Sequence, residues 1–268
     1  ARTTVVCLPG LTRNARDFTA LADALSHDDD AGSGLRVIVL ESRGRGRSGH
    51  ADPATYTLPQ ELDDLTRALD AWGVKRAHFV GTSRGGLLTM MLAMTQPDRI
   101  ESAVLNDIGP RIEPEGLARI AGAVGNTMAF ASFEALAEHQ KAALGSQFPR
   151  LDDAQWLRFA RQLASEDGAG GVRLDFDARL GDTFRDAPVP TESPDVWPAF
   201  EKLAVVPVLV IRGANSDILS AATVEAMRRL DPRVESLIVQ GEGHAPLLWD
   251  RRSIETIKRF LAGRAPAS

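Results

Sequence analysis

Gly81-Thr82-Ser83-Arg84-Gly85 is the one G-x-S-x-G pattern in the chain. Glycine and serine are common residues, so the pattern alone says little. Its context says more: an apolar run, Ala77–Val80, leads straight into it, and a helical pattern, Arg84–Met94, leads straight out. Strand, sharp turn, helix is the setting of a nucleophile elbow, in which a serine hydroxyl stands exposed at the end of a sheet. Gly81 and Gly85 leave room for close backbone packing, and the helix N-terminus beside Ser83 favours developing negative charge.

A serine hydroxyl needs a base. Of the five histidines, His27 neighbours an acidic run, Asp28-Asp29-Asp30, that reads as a solvated turn. His50 lies in a polar loop, His78 on the strand before the elbow, and His139 on a helical stretch. His244 follows the last strand, within Gly241-Glu242-Gly243-His244-Ala245-Pro246, where glycines free the loop to aim a side chain at the sheet's C-terminal edge. The base in turn needs an acid to hold its tautomer. Asp217, after the strand Val208–Ile211, is the first choice, and Asp107, after the strand Ser102–Leu105, is the alternative. The oxyanion is expected on backbone N–H groups of Arg84 and Leu11. Pro9 in the loop Leu8-Pro9-Gly10-Leu11 has no N–H to offer.

The elements that must position these residues can be read as well. Apolar runs at Val5–Leu8, Leu35–Leu40, Ala77–Val80, Ser102–Leu105, Val208–Ile211 and Leu237–Val239 suit strands buried on both faces. Between them lie helical stripes: Phe18, Leu21, Leu25; then Leu58, Leu62, Leu65, Leu69, Trp72; then Ile254, Ile257, Leu261. Thr57 and Gln60 resemble a capping box. The alternation predicts an α/β fold with a mostly parallel central sheet and helices on both faces. From Pro110 to Pro198 the rhythm breaks. No buried-strand signal is present there, and helical stretches at about Glu113–Val124, Ser132–Leu144 and Asp152–Glu166 precede a loop-rich segment with Pro188, Pro190, Pro194 and Pro198. The expected organisation is a core of residues 1–109 and 199–268, with a helical cap inserted at 110–198.

Composition limits the rest. Lys and Arg total 31 against 36 Asp and Glu, a net charge of −5 that argues against a general nucleic-acid binder. A single cysteine, Cys7, excludes an intrachain disulfide and a Cys-rich zinc site. No apolar stretch is long enough to span a membrane, and no signal peptide precedes the first strand; the expected location is cytoplasmic.

With these residues in place, the chain resembles the α/β-hydrolase superfamily. Ser83, Asp217 and His244 follow its triad order; in some of its members the acid sits where Asp107 does. Pro9-Gly10-Leu11 looks like its His-Gly oxyanion loop with Pro for His. Glu41-Ser42-Arg43-Gly44-Arg45-Gly46-Arg47-Ser48 looks like its D-x-R-G-x-G-x-S loop with Glu for Asp. Members usually begin with an antiparallel hairpin; Thr3–Leu8 reads as the strand that follows it, so the hairpin is expected to be missing and one sheet edge to be more exposed. The resemblance implies a serine hydrolase of a small carboxylic ester or lactone, with neither metal nor organic cofactor, acting as a monomer or homodimer. The same superfamily also includes carbon–carbon bond hydrolases, lyases, cofactor-free oxygenases and non-catalytic ligand receptors. Arg43, with its neighbours Arg45 and Arg47, is a candidate for binding a substrate carboxylate. Met128, Phe130 and Trp156, with Phe133 and Phe159, are candidates for an apolar acyl pocket in the cap.

Overall fold

The computed structural model describes residues 3–27, 34–124, 128–185 and 195–263. All six apolar runs become strands. In chain order the first stretch gives β1 (Thr4–Leu8), α1 (Thr19–Ser26), β2 (Arg36–Val39), α2 (Leu58–Ala71), β3 (Ala77–Thr82), α3 (Arg84–Thr95) and β4 (Ile100–Asn106). The middle stretch gives α4 (Pro114–Ala123), β5 (Ala129–Phe130), α5 (Phe133–Leu144), α6 (Asp153–Leu163), β6 (Ala164–Glu166), β7 (Val172–Leu174) and α7 (Asp182–Arg185). The last gives α8 (Trp197–Leu203), β8 (Val208–Gly213), α9 (Ala221–Leu230), β9 (Val234–Val239) and α10 (Arg251–Ala262).

The central sheet has the order β2-β1-β3-β4-β8-β9 and every pairing in it is parallel. Its strands are apolar throughout because both faces are covered. Val6, Leu8, Phe79, Leu105 and Val210 pack with buried residues of α2, α3, α8 and α9. Their alternate neighbours Val5, Cys7, Val80, Val104, Leu209 and Ile211 pack with α1 and α10 on the other face, as the two-residue period of a strand requires. On α2, Leu65 and Leu69 are buried, whereas Trp72 is its C-cap residue and 37% exposed. The Thr57 hydroxyl caps that helix by accepting from the Gln60 N–H, but the Gln60 side chain turns to Asp63 and Asp64. The reciprocal capping box occurs instead at Asp152 and Gln155, before α6.

The chain leaves β1 for one side of the sheet and returns through β3 to the other. The C-terminal ends of β1 and β3 therefore flank a topological switch point, where parallel α/β sheets bind ligands.

The middle stretch differs from its expected make-up of helices and loops without strands. Its first two helices form, but the third ends at Leu163, and Ala164–Glu166 becomes β6 of a three-stranded antiparallel sheet ordered β5-β7-β6. Strands of two or three residues are too short to leave a periodic signature. Phe130, Leu136, Phe148, Trp156, Phe159 and Leu163 form a separate apolar cluster there, joined by Leu247 from the loop after β9. The second half of this stretch is fastened to the loops after β1 and β2. Gly46 N–H donates to Asp175 O and Asp177 N–H to Gly44 O; the Asn14 side-chain amide and Arg16 both donate to Gln162 O. The first half is tied to the core by Arg119 of α4 on Asp217. α8 straddles residue 198 and packs on the sheet core. The Asp28–Asp30 run, Pro188, Pro190 and Pro194 lie outside the described residues.

Candidate active site

The turn between β3 and α3 holds Ser83 at φ 51°, ψ −115°, a conformation that costs a non-glycine residue about 1–3 kcal/mol. The surroundings enforce it. Ser83 N–H donates to Asn106 O across the end of β4, and Ser83 O accepts from Gly86 N–H. A Cβ at Gly81 would stand 2.5 Å from the Gly85 carbonyl, and one at Gly85 would stand 2.0 Å from Leu8 O on β1. The two motif glycines thus let strand, turn and helix touch. Gly86, which the motif does not include, is equally constrained: its Cβ would lie 2.3 Å from the Ile108 side chain.

His244 Nε2 lies 2.9 Å from Ser83 Oγ, and its Nδ1 lies 2.8 Å from Asp107 Oδ2. Asp107 is fully buried at the tip of β4, where its N–H donates to Ile211 O. Its carboxylate also accepts from Gly213 N–H at 2.8 Å and from Ser216 Oγ–H at 2.5 Å. The structure therefore joins Ser83, His244 and Asp107 in one hydrogen-bonded chain.

The expected choice of Asp217 as the acid is corrected. The loop after β8 presents Ser216 to Asp107 and carries Asp217 past the site, to Arg119 Nε and Nη2 at 2.6 and 2.8 Å and Gln147 Nε2 at 3.0 Å. Burial pushes the Asp217 carboxyl up, but the Arg119 hydrogen bond and charge outweigh it and hold the group below its usual range. Gln147 also accepts from the His244 N–H through Oε1. Asn106, next to Asp107, donates to Pro246 O at 2.9 Å and so braces the histidine loop. Behind that loop, Glu242 accepts from Leu247 N–H. Burial, with Asp250 and Asp107 nearby, pushes its carboxyl up to about 7. Cys7 is buried in β1, and burial raises its thiol as well.

Beside the serine, a Cβ on Gly10 would sit 3.7 Å from Ser83 Cβ, which brings the Gly10-Leu11 loop against the nucleophile. Among the described residues neither the Leu11 nor the Arg84 N–H has a protein acceptor. A buried charge cluster sits behind both. Arg45 Nε donates to Leu11 O at 2.7 Å and Nη1 to Glu61 at 2.8 Å; Glu61 also takes Arg84 Nε at 2.7 Å.

Ser83 and His244 open onto a cavity of about 760 Å³ between the sheet's edge and the middle stretch, within the usual size of small-molecule sites. Met128, Phe130 and Phe159 line it, as do Phe148, Leu174 and Phe176, which sequence reasoning missed. Three expected substrate-binding residues, Phe133, Trp156 and Arg43, do not line it; Phe133 packs against the apolar cluster. Trp156 is buried edge-on against Phe148 and Phe159 inside the apolar cluster. Arg43 is engaged by Asp64 and the Thr55 hydroxyl, bracing the loop after β2 against α2. The arginines in the wall, among the described residues, are Arg13 and Arg119. No group of three or more potential metal ligands occurs among the described residues, and no helix there is long and apolar enough to cross a membrane.

A parallel sheet with a strained serine at its switch point defines a class, and comparison with known proteins agrees. The chain belongs to the α/β-hydrolase family: the model described as alpha/beta hydrolase fold matches residues 3–251. The chain is 34% identical over 267 residues to the 3-hydroxybutyrate-oligomer hydrolase of Cupriavidus necator, covering 97% of this chain and 88% of that one. It is 27% identical over 237 residues to the 2-(acetamidomethylene)succinate hydrolase of Mesorhizobium japonicum, covering 88% and 79%. Among solved structures, an alpha/beta hydrolase from Novosphingobium aromaticivorans superposes with a TM-score of 0.90 at 45% identity, covering 98% of this chain and 90% of that one.

Proposed function

We propose that this chain is a serine hydrolase that cleaves a small-molecule carboxylic ester through an acyl-enzyme. The observation that carries the reading is the hydrogen-bonded chain Ser83–His244–Asp107, facing a mostly apolar cavity. His244 takes the Ser83 proton as Oγ attacks the carbonyl carbon. Asp107, held by Gly213 and Ser216, keeps Nδ1 protonated and stabilises the imidazolium. The oxyanion is received by the Leu11 and Arg84 amides. His244 then gives its proton to the departing alcohol, and water activated by the same base releases the acid. The segment 110–198 acts as the lid over this site. The name of the 34%-identical relative supports an ester of a hydroxy acid as substrate, since oligomers of 3-hydroxybutyrate are linked by ester bonds.

A fluorophosphonate probe should label wild type at Ser83 and leave Ser83→Ala unlabelled. A panel of esters and lactones should be turned over by wild type and not by Ser83→Ala. Turnover retained in the variant would sink the proposal. Labelling without turnover of any ester or lactone would point to a ligand receptor instead.

A further inference from the structure

The cavity has two guanidinium groups in its wall, and they differ in how their charge is balanced. Arg13 is paired with Asp17 at 2.6 Å, packs over the Phe159 ring, and shares the cavity wall with that same Asp17. Its charge is therefore neutralised where a ligand would meet it. Arg119 is paired with Asp217, but Asp217 does not line the cavity. Asp217 takes Nε and one proton of Nη2, and the remaining guanidinium protons have no acceptor among the described residues. Arg119 thus presents positive charge to a wall otherwise made, on α4 and its C-cap residue, of Ile120, Ala123 and Val124.

The position of Arg119 relative to the reacting groups is also fixed. Asp217, which holds it, accepts from Gln147 Nε2, and Gln147 Oε1 accepts from the His244 N–H. Arg119 is therefore linked through Asp217 and Gln147 to the backbone of the histidine loop. In acyl transfer the histidine is the group that meets the alcohol oxygen as it leaves. We propose that Arg119 anchors a carboxylate carried by the alcohol half of the substrate, so that the enzyme takes esters of a hydroxy acid whose own carboxylate is free. The inference rests on the serine-hydrolase reading above and names the substrate class of that site. In the step concerned, the bond between the acyl carbon and the alcohol oxygen breaks, its electron pair stays on the oxygen, and His244 Nε2 supplies the proton. The hydroxy acid departs with its carboxylate on Arg119, while the acyl group stays on Ser83 for hydrolysis. An oligoester is then shortened from its acid end, one unit per turnover.

The test compares the linear dimer of 3-hydroxybutyrate with the same dimer methylated at its acid end, following cleavage of the internal ester by chromatography. Wild type should show a kcat/KM at least tenfold higher for the free acid, and the preference should shrink as salt is raised. Arg119→Met should bring the ratio of the two substrates close to one, Arg119→Lys should keep part of it, and Arg13→Met should keep the wild-type ratio. Reading a ratio removes any loss that both substrates share, and if Arg119→Met does not fold, wild type and Arg119→Lys decide. A wild-type ratio near one, an unchanged ratio in Arg119→Met, or its collapse in Arg13→Met would overturn the proposal. Hydrolysis surviving in Ser83→Ala would instead strike the serine-hydrolase reading itself, which keeps the two failures apart.

Discussion

Removing the Glu61 carboxylate should destabilise the protein far more than a surface substitution does, and should slow it as well. The Arg45 and Glu61 side chains are each 1% exposed, and the Arg84 side chain is 17% exposed. Burial lowers the pKa of Arg45 against the opposing pull of Glu61. Glu61→Ala would leave the Arg45 charge buried without a counter-ion, a change that costs about 3–5 kcal/mol. For a chain of this size that is a fall in Tm of roughly 5–9 °C. Glu61→Gln keeps the volume and one acceptor oxygen, so its cost should be smaller, about 2 kcal/mol. The kinetic effect follows from where the arginines reach. Arg45 fixes the Leu11 carbonyl, and Glu61 fixes the side chain of Arg84, so both expected oxyanion donors rest on this cluster. Loss of one such donor costs about 10²–10³ in kcat. Looser placement of both in Glu61→Gln should cost about tenfold in kcat with little change in KM. Replacing all three charges together (Arg45→Met, Glu61→Leu, Arg84→Met) should recover stability without recovering rate, because the desolvation penalty disappears but the Leu11 carbonyl loses its donor. Urea denaturation and steady-state hydrolysis of a neutral ester read both effects. A Glu61→Ala variant within about 0.5 kcal/mol of wild type, the usual range of a surface substitution, would refute the claim that these charges depend on one another.

Two further outcomes are expected. Asp107→Asn should lower kcat by about 10⁴, as loss of the histidine's tautomer does in such triads, whereas Asp217→Asn should cost less than tenfold on a neutral ester; the reverse order would contradict the assignment of the acid. Glu242 has a folded-state pKa of about 7 against 4.5 unperturbed, so the folded protein binds the extra proton and loses stability as pH rises from about 4.5 through 7. Glu242→Gln should therefore gain in Tm relative to wild type across that window and gain nothing below it; a difference independent of pH would show that the carboxyl does not titrate as described.

The fold was legible because its strands are buried on both faces, and a continuous apolar run as short as Val208–Ile211, stopped by a glycine, suits a covered strand better than a helix. The meeting of Ser83 and His244 was legible because close packing at Gly81 and Gly85 restricts residue type locally and because the His244 loop follows the last strand. The carboxylate that meets His244 was not. Asp107 and Asp217 both follow strands, and what separates them is which carboxylate finds Gly213 N–H, Ser216 and His244, all distant in sequence from Asp107. Arg43 was misjudged for the same reason, and Arg119 was not singled out at all. A charge is free or spent according to its partner, and Asp64 and Asp217 are partners only in three dimensions. The short strands β5–β7 left no signal because they are held by each other and by the core loops rather than by any period of their own.

The uneven fastening of the middle stretch has a consequence for traffic into the cavity. The half containing β6 and β7 is sewn to the loops after β1 and β2 along its backbone, so moving it would break several hydrogen bonds at once. The half containing α4 and α5 is joined to the core mainly by side chains, among them the Arg119–Asp217 ion pair and Gln147 on Asp217 and the His244 N–H, beside the backbone bond from Glu113 N–H to Ile218 O. A carboxylate arriving at Arg119 would compete with Asp217 for the guanidinium, so that the residue proposed to greet the substrate is also one of the ties of this half to the core.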